Sequence, residues 1–208
     1  MEDKETKFYD YGYYSGQMKD GKRDGKGRFF WSEGRAEGHI YEGEWKNDKM
    51  HGKGLYLFTD GRDYTGDWFN GDMHGKGIMK YTDGYYEGDW VHDKREGKGK
   101  FLWTDDPWKG DIYEGEWKDD KRNGHGVVKY HNCDIYDGEW KDNQKFGKGK
   151  LITKAEQDRK IAEYNNDTNN NSENGQRYSN QGGKKKDLKV GKYKIDVGIL
   201  LDMSMMME

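Results

Sequence analysis

The sequence predicts an all-β fold: one antiparallel meander of six β-hairpins, followed by a short helix and a disordered tail. Three observations carry this expectation. Aromatic and glycine residues alternate with charged residues at period two, the pattern of a strand with two unlike faces. Glycine occurs 31 times and proline once in 208 residues, too much glycine for long helices and far too little proline for collagen. A unit of tyrosine with glycine two places on, followed by a Gly-x-Gly pair, recurs six times, and internal repetition of this kind marks a repeat architecture.

Residues 1–13 form a lead-in, and the sheet is expected over 14–152. The leading tyrosines are Tyr14, Tyr41, Tyr64, Tyr86, Tyr113 and Tyr136. Tryptophan stands four places later at Trp45, Trp68, Trp90, Trp117 and Trp140, and Met18 replaces it in the first unit. The Gly-x-Gly pairs begin eleven residues after each tyrosine, at Gly25, Gly52, Gly75, Gly97, Gly124 and Gly147. The tyrosines themselves are 27, 23, 22, 27 and 23 residues apart, so three units span 72 residues, and the pairs Tyr14/Tyr86, Tyr41/Tyr113 and Tyr64/Tyr136 all keep that distance. A duplicated triplet explains it. The extra residues fall in 31–40 and 103–112.

Each unit reads as a hairpin. Its halves alternate in character, and the polar stretch between them, Asn47 to Met50 in the second unit, suits a turn. Asp60-Gly61 and Asp83-Gly84 are expected to reverse the chain into the next unit with positive φ. Pairing Lys46 with His51 places Tyr41 opposite Tyr56, Gly43 opposite Gly54, Glu44 opposite Lys53 and Trp45 over Gly52. The same register sets Asp67 against Lys76, Asp89 against Lys98 and Glu139 against Lys148, each pair contributing about 0.2–1 kcal/mol. At about 4.8 Å per strand, twelve strands span roughly 55 Å, so the sheet is a rod.

The Tyr-x-Gly-x-Trp strands, the fixed offset to Gly-x-Gly and the Asp-Gly closures resemble MORN repeats over residues 14–150. The stretches His51-Gly52-Lys53-Gly54 and His74-Gly75-Lys76-Gly77 are the closest to the family pattern; Glu96, Asn123 and Phe146 stand where those units have histidine. The resemblance implies an elongated, twisted antiparallel sheet that acts as a scaffold and often dimerises. It implies a partner-binding groove lined by Tyr41, Trp45, Tyr64, Trp68, Tyr86, Trp90, Tyr113, Trp117, Tyr136 and Trp140. A single sheet cannot bury both faces, and a long exposed aromatic groove exceeds what a monomer leaves open. A protein partner or a second copy is therefore expected, in the cytoskeletal or ciliary settings that the resemblance suggests. Two alternatives are a peripheral module for anionic phospholipids such as phosphoinositides, and the targeting part of an enzyme.

Beyond the sheet, Thr153 and Glu156 have capping-box spacing ahead of helix-forming residues, predicting a helix over 153–164. Residues 165–208 are asparagine-rich and then lysine-rich and are expected to be mostly disordered. Lys184, Lys185, Lys186, Lys189, Lys192 and Lys194 make a basic cluster of the kind drawn to anionic lipid.

The 37 basic and 40 acidic residues give a net charge of -3, which does not favour nucleic acid as a partner. The single cysteine, Cys133, suits a reducing compartment, favouring the cytoplasm. Met1–Lys7 is polar with no apolar segment behind it, and no apolar run approaches the ~20 residues that span a bilayer, so a soluble chain that is not secreted is expected. No catalytic site, cofactor or metal site is expected. Gly16 to Lys22 has phosphate-loop spacing, but Arg23 stands where a Ser or Thr is required. His51 and His74 lack a third converging ligand. His131 and Cys133 lack a group to orient the imidazole.

Overall fold

The computed structural model describes residues 5–173, 188–190 and 193–195. Thirteen strands form one antiparallel sheet in strict chain order: β1 (Glu5–Tyr9), β2 (Gly12–Lys19), β3 (Lys22–Trp31), β4 (Ile40–Lys46), β5 (Lys49–Leu57), β6 (Asp63–Phe69), β7 (Asp72–Lys80), β8 (Gly84–Val91), β9 (Lys94–Trp103), β10 (Ile112–Lys118), β11 (Lys121–Lys129), β12 (Ile135–Lys141) and β13 (Gln144–Ile152). The six units are the hairpins from β2/β3 to β12/β13. The lead-in contributes a thirteenth strand that the repeat pattern did not predict. β1 pairs with β2, Lys7 against Tyr14 and Glu5 against Gly16, and so hydrogen-bonds what would otherwise be an open edge at the first unit.

The hairpin turns are tighter than the expected four-residue loop. Asn47 and Asp48 have φ of 48° and 66°, and Asp119 and Asp120 have 47° and 66°, so each is the two-residue turn whose twist matches the flanking strands. Lys46 then faces Lys49, Trp45 faces Met50 and Glu44 faces His51, while Gly43 still faces Gly54 and Tyr41 still faces Tyr56. Between these two stretches the register shifts, leaving Gly52 and Lys53 as a bulge. Gly52 makes the bulge feasible at φ 57°, and Gly75 and Gly97 repeat it at 63° and 68°. The second glycine of each pair serves a different need. A Cβ on Gly54 would overlap the Tyr41 ring, and one on Gly99 would overlap the Tyr86 ring.

The bulge corrects the expected register. Trp45 lies opposite Gly25, Trp68 opposite Gly52, Trp90 opposite Gly75, Trp117 opposite Gly97 and Trp140 opposite Gly124. Each tryptophan thus faces the glycine of the preceding unit and not its own. Of the two closures between units, Gly61 has the expected positive φ of 88°. Gly84 does not; it opens β8, where a Cβ would meet the Leu102 carbonyl and the Phe101 ring.

After the sheet, α1 (Lys154–Glu173) begins at the predicted cap, where the Glu156 N–H donates to Thr153 Oγ1 at 3.2 Å. The pairs Lys154–Asp158 at 2.7 Å and Lys160–Glu156 at 3.0 Å reinforce the first turns. The helix runs past the expected end at 164 into asparagines. Once a helix is nucleated, each added residue loses only its modest propensity difference. Two short strands, β14 (Leu188–Val190) and β15 (Tyr193–Ile195), pair antiparallel within the stretch expected to be disordered. Among the described residues no helix is long and apolar enough to cross a membrane.

Candidate functional site

The ten aromatic residues predicted to line an open groove lie on one face of the sheet, and there they form its core. Tyr41, Tyr64, Tyr86 and Tyr113 are fully buried, Trp90 is 1% exposed, and the other five are at most 8% exposed. An open aromatic groove is therefore not what the structure contains. The reason lies in the register between units. Tyr64 meets Trp68 edge-on at 5.2 Å and Trp90 at 5.3 Å, and Tyr86 meets Trp90 and Trp117, both at 5.2 Å. Tyr41, Tyr64, Tyr86 and Tyr113 so stand between their own tryptophan and the next unit's, in a continuous zipper that Tyr14 and Tyr136 end with one indole each. The polar tips are satisfied as well. The Tyr86 hydroxyl donates to the Asp89 carbonyl at 3.0 Å, and Trp90 Nε1 donates to the Gly77 carbonyl at 3.2 Å. Burial disfavours the charged form of these hydroxyls and raises their pKa: Tyr14 and Tyr56 are pushed up to about 12, and Tyr41, Tyr64, Tyr86 and Tyr113 are raised too.

Three arginines close this core, and the period-two reading missed them. Arg23, Arg95 and Arg122 lie on the aromatic face nine places after their tyrosines, and each guanidinium sits 4.4 Å from an indole centroid, that of Trp45, Trp117 or Trp140. Arg95 also donates from Nε to Asp120 Oδ1 at 3.1 Å and from a terminal nitrogen to the Asp120 carbonyl at 2.8 Å. Asp120 belongs to the next hairpin turn, so the clamp locks neighbouring units together. Comparing units at this one offset reveals the set: Arg23, Met50, Met73, Arg95, Arg122, Lys145. A charge there looks like a break in alternation unless the neighbouring indole is known to cover it.

The opposite face carries the charges and is the open one. Asp67 Oδ2 accepts the Lys76 backbone N–H at 2.9 Å, while its Oδ1 lies 2.6 Å from Lys53 Nζ of the preceding unit. Asp89 repeats this with the Lys98 N–H at 3.0 Å and Lys76 Nζ at 2.5 Å. Partial desolvation raises both carboxyls, but these bonds outweigh it and hold them below their ordinary range. The predicted pairs Asp67/Lys76 and Asp89/Lys98 therefore meet through the backbone, and the ion pairs join adjacent units. Between the charges runs a groove of about 1040 Å³ crossing β5 to β11. Glycines Gly54, Gly66, Gly77, Gly88, Gly99 and Gly115 border it, with Lys53, Lys76, Lys98, Glu87, Glu114 and Ile78 among its walls. Ile78 is 46% exposed.

A family model for the MORN repeat matches residues 14–39, 41–61, 64–84, 86–106, 113–132 and 136–153. The chain belongs to the MORN repeat family. All six units are recognised, including the first, where Met18 replaces tryptophan, and the last. MORN repeats are non-catalytic modules that commonly bind proteins or membranes. No curated protein matched the chain at a significant level.

His51 and His74 lie on strands β5 and β7, not in turns, with the Phe69 ring between them at 5.4 and 5.7 Å. Among the described residues no group of three or more His, Cys, Asp or Glu is placed to hold a metal ion. The orienting carboxylate that the sequence did not disclose for His131 is Asp111. It is buried, and its Oδ1 accepts the His131 backbone N–H at 2.8 Å and lies 2.8 Å from Nδ1. It ties the segment before β10 to the turn after β11, where Cys133 sits exposed at φ 69°. The stretch from Gly16 to Lys22 is the end of β2, a turn and the start of β3. Lys184, Lys185, Lys186 and Lys192 lie outside the described residues, as do the side chains of Lys189 and Lys194.

Proposed function

We propose that this chain is a non-enzymatic binding scaffold that holds an extended segment of a protein partner along the charged face of its MORN sheet. The observation that carries the reading is the groove crossing β5 to β11 on the face opposite the packed aromatics. The glycine backbone borders it, and its walls present both charge signs beside exposed apolar groups. Ile78 stands in it, and Tyr85, 43% exposed, and Leu57 lie on the same face toward one end of the strands. Such a surface suits a segment of mixed charge with a few apolar anchors. The aromatic zipper then serves the function indirectly, as the rigid spine that keeps the groove in shape.

The test places a photo-crosslinking residue at position 78, purifies whatever protein it captures, and measures binding of that protein to Ile78→Arg and Lys76→Glu. Ile78 is exposed, so Ile78→Arg should unfold like wild type, while Lys76→Glu gives up its ion pair with Asp89 and should lose about 1 kcal/mol; both should bind at least tenfold more weakly. Wild-type binding by both would remove the groove from the reading.

A further inference from the structure

The two ends of the sheet differ in kind. Every junction between units follows one template, seen five times: a strand bearing Gly-x-Gly receives, along its outer edge, a strand bearing glycine, an acid or its equivalent, and tryptophan. At the fourth junction Gly99 faces Gly115, Lys98 faces Glu116 and Gly97 faces Trp117. The tryptophan faces the first glycine across the ladder, and its indole donates to the carbonyl of the second, Trp117 Nε1 to Gly99 at 3.1 Å. At its start the sheet is capped by β1, which has Glu5 and Lys7 where the template needs glycine and an aromatic. At its end β13 keeps the whole receiving motif, Gly147-Lys148-Gly149, and is the last strand of the sheet.

We propose that the outer edge of β13 is a second binding site, which takes an extended segment of another protein carrying glycine, an acidic residue and tryptophan in succession. Three features argue for that occupant. Among the described residues Gly147 has no tryptophan opposite it, whereas Gly25, Gly52, Gly75, Gly97 and Gly124 each face one across the ladder. No following unit supplies a carboxylate to Lys148, whereas its counterparts Lys53 and Lys76, also exposed, pair with Asp67 and Asp89 of the next unit. The strand 144–152 holds three lysines and no acid, so its charge calls for an acidic ligand. A second copy fits poorly. Every Gly-acid-Trp strand of this chain is interior to the sheet, and pairing β13 with itself would set lysines against lysines. Residues 153–208 contain no tryptophan and do not supply the indole.

The probe is a fluorescent synthetic peptide of residues 110–120, Gly-Asp-Ile-Tyr-Glu-Gly-Glu-Trp-Lys-Asp-Asp, titrated into the full chain by anisotropy, with amide hydrogen exchange locating it. Binding should protect amides 145–150 and weaken about tenfold or more in Lys148→Glu. Exchanging the peptide's second glutamate of Glu-Gly-Glu for lysine should restore affinity to Lys148→Glu and lower it for wild type. Replacing its tryptophan with alanine should also weaken binding about tenfold. Absence of binding up to millimolar peptide, wild-type affinity in Lys148→Glu, or protection confined to β1 or to the groove would each overturn the proposal.

Discussion

Replacing Trp90 with alanine separates the two ways of understanding the aromatic face. The indole is 1% exposed and stands edge-on to Tyr64 at 5.3 Å and Tyr86 at 5.2 Å. Each of these contacts is worth about 0.5–1.5 kcal/mol beyond burial, and the hydrogen bond from Nε1 to the Gly77 carbonyl adds about 0.5–1.5 kcal/mol. Truncating a buried tryptophan also leaves a cavity, and such changes destabilise by about 3–5 kcal/mol in total. At about 2–4 °C per kcal/mol for a chain of this size, Tm should fall by roughly 10 °C. Far-UV circular dichroism in a urea series is the assay, because tryptophan fluorescence is altered by the substitution itself. Ile78→Ala on the open face is the control and should shift stability by under about 1 kcal/mol. Were Trp90→Ala within about 1 kcal/mol of wild type, the rings would not be the core, and an open aromatic groove would return as the binding surface.

Arg95→Ala should lose about 2–3 kcal/mol in the same urea series, since it removes a cation–π contact and charged hydrogen bonds to Asp120, and Arg95→Lys should restore only part, lacking the planar fork. Gly99→Ala should unfold the central units, because the new methyl overlaps the Tyr86 ring; a soluble variant with wild-type Tm would refute this packing. The buried tyrosines have folded pKa values raised above an unfolded value of 10.0, so their contribution is complete below pH 10 and is lost as pH rises through the folded values. Tyrosinate absorbance and loss of circular dichroism should therefore climb together above about pH 10. Asp67 and Asp89 have the opposite sign: folded values below 3.8 give a contribution that is present above about pH 4 and lost as pH falls through the folded values. Their pairs are partly solvated, so Asp67→Asn with Asp89→Asn should flatten the acid limb of a stability profile by only about 1 kcal/mol.

The repeat, its hairpins and the aromatic face were legible because each depends on residues within a dozen positions of one another. Tyr41 meets Tyr56 and Gly43 meets Gly54 as the alternation requires. Alternation at period two places side chains on faces, but it does not say which neighbouring strand a residue faces. The two-residue turn and the bulge at Gly52 consume residues that a simple register counts as paired, and they pass Trp45, Asp67 and Asp89 on to the preceding unit. A charged residue on the aromatic face, such as Arg95, could be understood only after Trp117 was known to lie against it.

What the amino-acid order determines alone is the number of units, the fold of each and the two glycine positions that bulge and ring packing demand. What only the tertiary structure decides is which face remains open. A row of aromatics read along a sequence looks like a binding surface, because one unit covers its own rings only in part. Burial is a property of neighbours: Tyr14, Tyr41, Tyr64, Tyr86 and Tyr113 are each enclosed by an indole contributed from the following unit, and the aromatic face becomes the core only when the units are laid side by side.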